Sequence, residues 1–160
     1  MRTLVLLLVL FIVESTANAQ RKREIIPRDS ITGKYAYTGV SDTLPATKEE
    51  LRAKLDKWIK QNYNAQESQY IKLAVDGDTY TIHDREALPG KQRKFVEYNL
   101  TIDLKEQRYR YKLTDLEYVA VGKYPLEDKL ATDEREDFEK MHAILTGVLK
   151  SLAAAMASEW

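Results

Sequence analysis

The sequence predicts an α+β domain of two layers, an antiparallel sheet with both helices on one face, in the order β-α-β-β-β-β-α. Three observations carry this reading. Residues 95–118, FVEYNLTIDLKEQRYRYKLTDLEY, form two stretches of period two: Val96, Tyr98, Leu100, Ile102 and Leu104, then Tyr109, Tyr111 and Leu113. Two other stretches, opening at Thr47 and at Thr132, repeat their apolar residues at helical spacing. The alternation along 95–118 puts its apolar residues on one face and its polar residues on the other. Such a sheet needs a cover on one side and tolerates water or a partner on the other.

In chain order, residues 1–19 read as a signal peptide, with Arg2 ahead of an apolar run from Leu4 to Val13 and Ala17-Asn18-Ala19 at the cleavage site. That run is shorter than the roughly 20 residues a membrane span needs. The chain is therefore expected to be exported to the periplasm or beyond, with no transmembrane segment after cleavage. Residues 20–29 are charged, contain Pro27, and are expected to be a mobile leader to a single domain spanning 30–158. Residues 30–38 alternate, with Ile31, Gly33, Tyr35 and Tyr37 on one face of a first strand.

Thr47 and Glu50 are spaced as a capping box, and Leu51, Leu55, Trp58 and Ile59 make one stripe on the helix that follows. Residues 70–75 and 78–83 make a hairpin around Asp76-Gly77, with Ile71, Leu73 and Val75 opposite Ile82, Tyr80 and Asp78. Leu88-Pro89-Gly90-Lys91 suits a type II turn. In the long ribbon, facing residues must share a side of the sheet. Leu104 is therefore expected opposite Tyr109, Ile102 opposite Tyr111, Leu100 opposite Leu113, and Asp103 across from Arg110. The connection is expected to be the four residues 105–108, because neither Glu106 nor Gln107 suits a two-residue turn. Residues 122–125 read as a loop. Phe138, Met141, Leu145, Val148 and Leu152 stripe the second helix, whose last turns, 151–160, are expected to overhang the domain.

Composition narrows the function classes. Twenty-five Lys and Arg balance 25 Asp and Glu, so no global field recruits nucleic acid or an anionic membrane. Cysteine is absent, so the core alone must stabilise the fold. No nucleophile elbow or glycine-rich phosphate loop occurs, and no cofactor or metal is expected. His83-Asp84-Arg85-Glu86 is the one cluster with acid–base character, and it supports the alternative of a small hydrolase or transferase centred on His83 and the nearby acids. Its plainer reading is a polar strand end. Glu139 and His142 lie about a turn apart on the second helix, a spacing usual for a solvated helix surface.

Residues 33–63, GKYAYTGVSDTLPATKEELRAKLDKWIKQNY, together with 96–118, resemble a family of exported bacterial domains of unknown function with a TBP-like fold. The resemblance rests on Gly33-Lys34, Tyr37, Lys48, Leu51, Trp58, Tyr109-Arg110-Tyr111 and Thr114-Asp115-Leu116. It covers about residues 30–120 and departs at Lys105-Glu106-Gln107, where the family usually carries an Asp-Gly pair. It implies a fold and brings no activity or cofactor. DNA binding does not follow from the TBP-like fold, and Phe95 is the only large wedge-like apolar residue expected on the open face.

The leading expectation is a non-enzymatic exported or envelope-associated module that binds a protein, peptide or envelope ligand. On the register above, Lys72, His83, Glu97, Asn99, Thr101, Arg110, Lys112 and Thr114 face away from the helices as the candidate binding face.

Overall fold

The computed structural model describes residues 25–64, 68–128 and 135–158. The signal peptide, the start of the leader and the Thr132 cap lie outside them.

Helix α1, Lys48–Asn62, begins where its sequence says it should. Thr47 Oγ1 accepts from the Glu50 amide at 3.2 Å, and Glu50 Oε2 accepts from the Thr47 amide at 2.7 Å, which satisfies free donors of the first turn in both directions. Its stripe of Leu51, Leu55, Trp58 and Ile59 is buried. Helix α2, Arg135–Ala157, buries Phe138, Met141, Leu145, Leu152 and Met156, and its Ser151 Oγ accepts from Trp58 Nε1 at 2.9 Å. The expected overhang is absent: Met156 is buried, and Lys54 Nζ donates to its carbonyl at 3.3 Å. His142 is not on a solvated surface either, since its Nδ1 shares a 2.8 Å hydrogen bond with Tyr37 OH.

The strands are β1 (Tyr37–Val40), β2 (Lys72–Asp76), β3 (Thr79–Ala87), β4 (Phe95–Lys105), β5 (Arg108–Val119) and β6 (Lys123–Pro125). They form one antiparallel sheet ordered β1-β5-β4-β3-β2, with β6 also on β5. Both helices cover the face that carries Val96, Tyr98, Leu100, Ile102 and Leu104, all buried. Each such large apolar side chain contributes about 1.5–3 kcal/mol over remaining exposed. Strand β6, where the sequence suggested only a loop, pairs Lys123 with Val119.

The β4–β5 register is the one expected, including Leu104 opposite Tyr109 and Asp103 opposite Arg110. The turn is tighter than expected. Lys105 also pairs with Arg108, so Glu106-Gln107 is a two-residue turn with Gln107 at φ 59°. Neighbouring contacts offset that strained conformation: the Gln107 carbonyl accepts from the Leu44 amide at 2.8 Å, and Glu106 accepts from the first helical amide, Lys48.

Further along, β5 contains an extra residue at Asp115, φ 52°, so that Glu97 pairs with Glu117 while Asn99 pairs with Thr114. This bulge reverses the alternation. Tyr109 and Leu113 face the helices before it, and Leu116 and Tyr118 after it.

Other expectations give way to local polar chemistry. Residues 30–36 are not strand. The Asp29 carboxylate accepts from the amides of Ile31 and Thr32 at 3.1 and 2.7 Å, and with Gly33 at φ 69° it closes a turn that leaves Ile31 92% exposed. The end of the supposed leader is anchored, with Ile26 fully buried and Arg28 bridged to Tyr35. The β2–β3 hairpin is shifted by two residues, pairing Leu73 with Ile82 and Val75 with Tyr80 around Gly77-Asp78. Positive φ is needed at Gly77 alone, and Asp78 is held by Lys48 at 2.9 Å and by Arg52. The β3–β4 connection is a loop closed by Leu88 N–H donating to the Lys94 carbonyl at 2.8 Å, in place of a four-residue turn.

Candidate functional site: the open face of the sheet

Strand alternation and register bring the predicted face residues onto one surface. Lys72, His83, Asn99 and Thr114 are successive cross-strand neighbours from β2 to β5. The adjacent row runs Thr81, Thr101, Lys112 and Thr38, and the next runs Thr79, Asp103, Arg110 and Val40. No helix among the described residues covers these rows.

The rows are tied internally. Asn99 Nδ2 donates to Asp115 Oδ2 at 2.9 Å, which fixes the amide and leaves Asn99 Oδ1 to accept from His83 Nδ1 at 2.9 Å. Thr79 Oγ1 donates to Asp103 at 2.8 Å, and Arg110 donates to the same carboxylate through Nε and Nη2 at 2.9 and 2.7 Å. Burial would raise the Asp103 pKa, but these hydrogen bonds outweigh it and hold the group below its ordinary value.

Glu97 is the exception among the predicted residues. It lies on this face yet is 3% exposed, with Arg85 on Oε1 and Lys123 Nζ at 2.6 Å from Oε2. Lys123 is also 2.6 Å from Glu117, and the Arg85 guanidinium stacks 3.9 Å from the Tyr70 ring centre and 5.4 Å from that of Phe95. Burial pushes the Glu97 pKa up, and the hydrogen bonds from Lys123 and Arg85 bring it below the usual value. Glu97 is thus a clamp for this end of the sheet and not a group presented to a ligand. Phe95 is likewise held under Arg85 instead of standing free as a wedge.

The other end is cationic. Lys105, Arg108, Arg110 and Lys112 surround Asp103, and a shallow cleft of about 250 Å³ is lined by Val40, Lys105, Arg108 and Arg110. A second cleft, about 170 Å³ and of mixed charge, lies further along β5 between Lys112, Thr114 and Asp115 on one side and Asp29, Lys34 and Thr38 on the other. Lys34 and Lys112 have no ion pair among the described residues.

Period two already puts Arg108 on the polar side of the ribbon with Arg110 and Lys112, as the structure has it, although it was not among the candidate binding residues. The sequence missed Lys34, Val40 and the Lys123 clamp as parts of this surface. The folding of the 29–36 turn over β5 and the pairing of β6 had no comparable local signal.

The acid–base cluster does not assemble. His83 and Arg85 face the open side, and Asp84 and Glu86 face the helices. Asp84 is buried beside Tyr98, whose hydroxyl donates to it at 3.4 Å, and the Tyr98 and Tyr63 hydroxyls are 3.3 Å apart. Burial raises the Asp84 pKa, and burial together with the Asp84 charge raises that of Glu86. The pleat therefore sets His83 on the face of the sheet opposite Asp84 and Glu86, and the three do not converge. Among the described residues no three His, Cys, Asp or Glu side chains converge as a metal site, and no helix is long and apolar enough to cross a membrane.

No family model and no curated protein matches this sequence. Two solved structures are similar. A TBP-like protein from Parabacteroides distasonis superposes with a TM-score of 0.71 at 15% identity, over 86% of this chain and 100% of that one. A DUF4468 family protein from Bacteroides ovatus superposes with a TM-score of 0.68 at 12% identity, over 84% and 92%. The TBP-like fold implied by the sequence resemblance is the fold of this chain. At these identities the likeness extends to the fold alone.

Proposed function

We propose that this chain is an exported binding module that recognises an acidic protein, peptide or envelope ligand along β5 on the open face of its sheet. Residues 1–19 act as the export signal in this reading. The observation that carries it is the cleft beside β5 lined by Lys105, Arg108 and Arg110, which has no carboxylate in its lining; the second cleft adds Lys112 and Lys34 but also holds Asp29 and Asp115. Cations held on a rigid strand, with side-chain hydroxyls between them, suit carboxylates of a ligand better than a purely solvated face requires. The internal hydrogen bonds of His83, Asn99 and Asp103 keep the surface in one arrangement before a ligand arrives, which lowers the entropic cost of binding.

Reversing Arg110 and Lys112 to glutamate tests this. A labelled Glu-rich peptide is titrated against both proteins, alongside capture from envelope extract. Wild type is expected to bind the peptide with an affinity that falls with salt, and the Arg110→Glu/Lys112→Glu protein to lose binding roughly tenfold or more. Equal binding by a well-folded double variant would remove this face as the site.

A further inference from the structure

Strand β2 is a sheet edge of an unusual kind. All of Lys72–Asp76 is exposed, and Leu73 and Val75, on the helix side, are 47% and 52% exposed because neither helix extends over them. No described strand pairs with its outer side. Natural edges are normally protected by a bulge, proline or a charge in mid-strand, whereas this one has Leu-Ala-Val at its centre and charges only at its ends. Lys72 and Asp76 have no ion pair among the described residues.

The sequence Lys72-Leu73-Ala74-Val75-Asp76 is complementary to itself when run antiparallel about Ala74. Lys72 then faces Asp76 of the second strand, and Leu73 faces Val75. Backbone alternation agrees with this register. In a hairpin closed by the two-residue turn Gly77-Asp78, the flanking pair Asp76–Thr79 exchanges its bonds inward, so Leu73 and Val75 direct their N–H and C=O groups outward. The self-register makes Leu73–Val75 the hydrogen-bonded pair and Lys72–Asp76 the closer non-bonded pair, where opposite charges interact best.

We propose that β2 is the interface of a symmetric dimer, two copies of this chain joined edge to edge about a two-fold axis through Ala74. The two sheets become one continuous sheet with both helix layers on the same side and both open faces on the other. The contact is isologous, so it closes at two copies. A five-residue pairing gives a small interface, and the association is expected to be reversible and dependent on concentration.

Sedimentation equilibrium of the purified protein from micromolar to millimolar concentration tests the proposal. Wild type is expected to show a monomer–dimer equilibrium. Asp76→Lys places lysines opposite each other and weakens it roughly tenfold, while Lys72→Asp/Asp76→Lys exchanges the charges and restores it. Leu73→Pro removes an outward N–H without touching the bonds to β3 and abolishes the dimer. Melting curves of each variant show that the monomer is folded, and the restored charge-swap dimer separates lost pairing from lost folding. A wild type that stays monomeric or assembles without limit overturns the proposal, as does a dimer indifferent to Asp76→Lys and Leu73→Pro, or a charge swap that fails to restore it.

Discussion

Leu100 and Thr101 are consecutive residues of β4 and belong to different worlds. Leu100 lies between Ile82 and Leu113 under the helices and is fully buried. Thr101 lies between Thr81 and Lys112 on the open face and is half-buried. The same comparison holds for carboxylates. Asp84, on the covered face, has no ion pair among the described residues and is pushed toward its neutral form by burial. Glu97, on the open face, is equally inaccessible but stays charged because Arg85 and Lys123 close over it. The covered face thus derives stability from apolar contact and tolerates charge poorly. The open face is organised by pairs of charges and hydrogen bonds that leave its shape fixed and its stability contribution small.

Paired substitutions sharpen this difference. Leu100→Ala is expected to cost about 3 kcal/mol through lost transfer energy and a cavity, whereas Thr101→Ala one residue away stays within about 0.5 kcal/mol. Denaturant melts of the two proteins check this, and similar losses would mean the faces are not energetically distinct. Glu97→Ala breaks the contrast in an informative way, since it strands Arg85 and Lys123 and is expected to cost about 2 kcal/mol despite lying on the open face. The Glu97 pKa is held below its ordinary value of 4.5, so its contribution is complete above that pH and disappears as pH falls through the folded value. Melting temperatures of wild type and Glu97→Ala should therefore converge in acid. Parallel curves would place the loss in packing instead.

A smaller effect of opposite sign is expected at Asp84. An acid raised above its ordinary 3.8 by folding loses stability as pH climbs from 3.8 through the folded pKa, so the penalty is complete above the folded pKa and absent below 3.8. Asp84→Asn keeps an acceptor for Tyr98 and the Arg85 amide and removes the charge. Its melting temperature should exceed that of wild type at pH 7, by less than the Glu97→Ala loss, and the gain should fade in acid. A loss at pH 7 would show that the charged form is needed.

Much of the covered face was legible in the sequence because apolar period is a local signal. The stripe of α1, its Thr47–Glu50 cap and the β4–β5 register all follow from spacing. What escaped depended on polar side chains capturing backbone or on pairing between distant segments. Asp29 turned a strand-like alternation into a turn, Asp78 found Lys48 and Arg52 and moved a hairpin by two residues, and Leu44 and Lys48 supported a two-residue turn without glycine. The bulge at Asp115 did leave a trace, the spacing of three from Leu113 to Leu116 that breaks period two. The open face was legible as a set of residues, but the withdrawal of Glu97 was not, because its partner Lys123 sits on a three-residue strand with no pattern of its own.

Partners are proposed to meet the open face and not the helices. A photo-crosslinking side chain placed at Thr101, in the middle of the open face, and separately at Lys60, exposed on α1, tests it directly in envelope extract. The expected result is a partner adduct from the Thr101 position and none from Lys60. Adducts from Lys60 alone would place the partner on the helices instead.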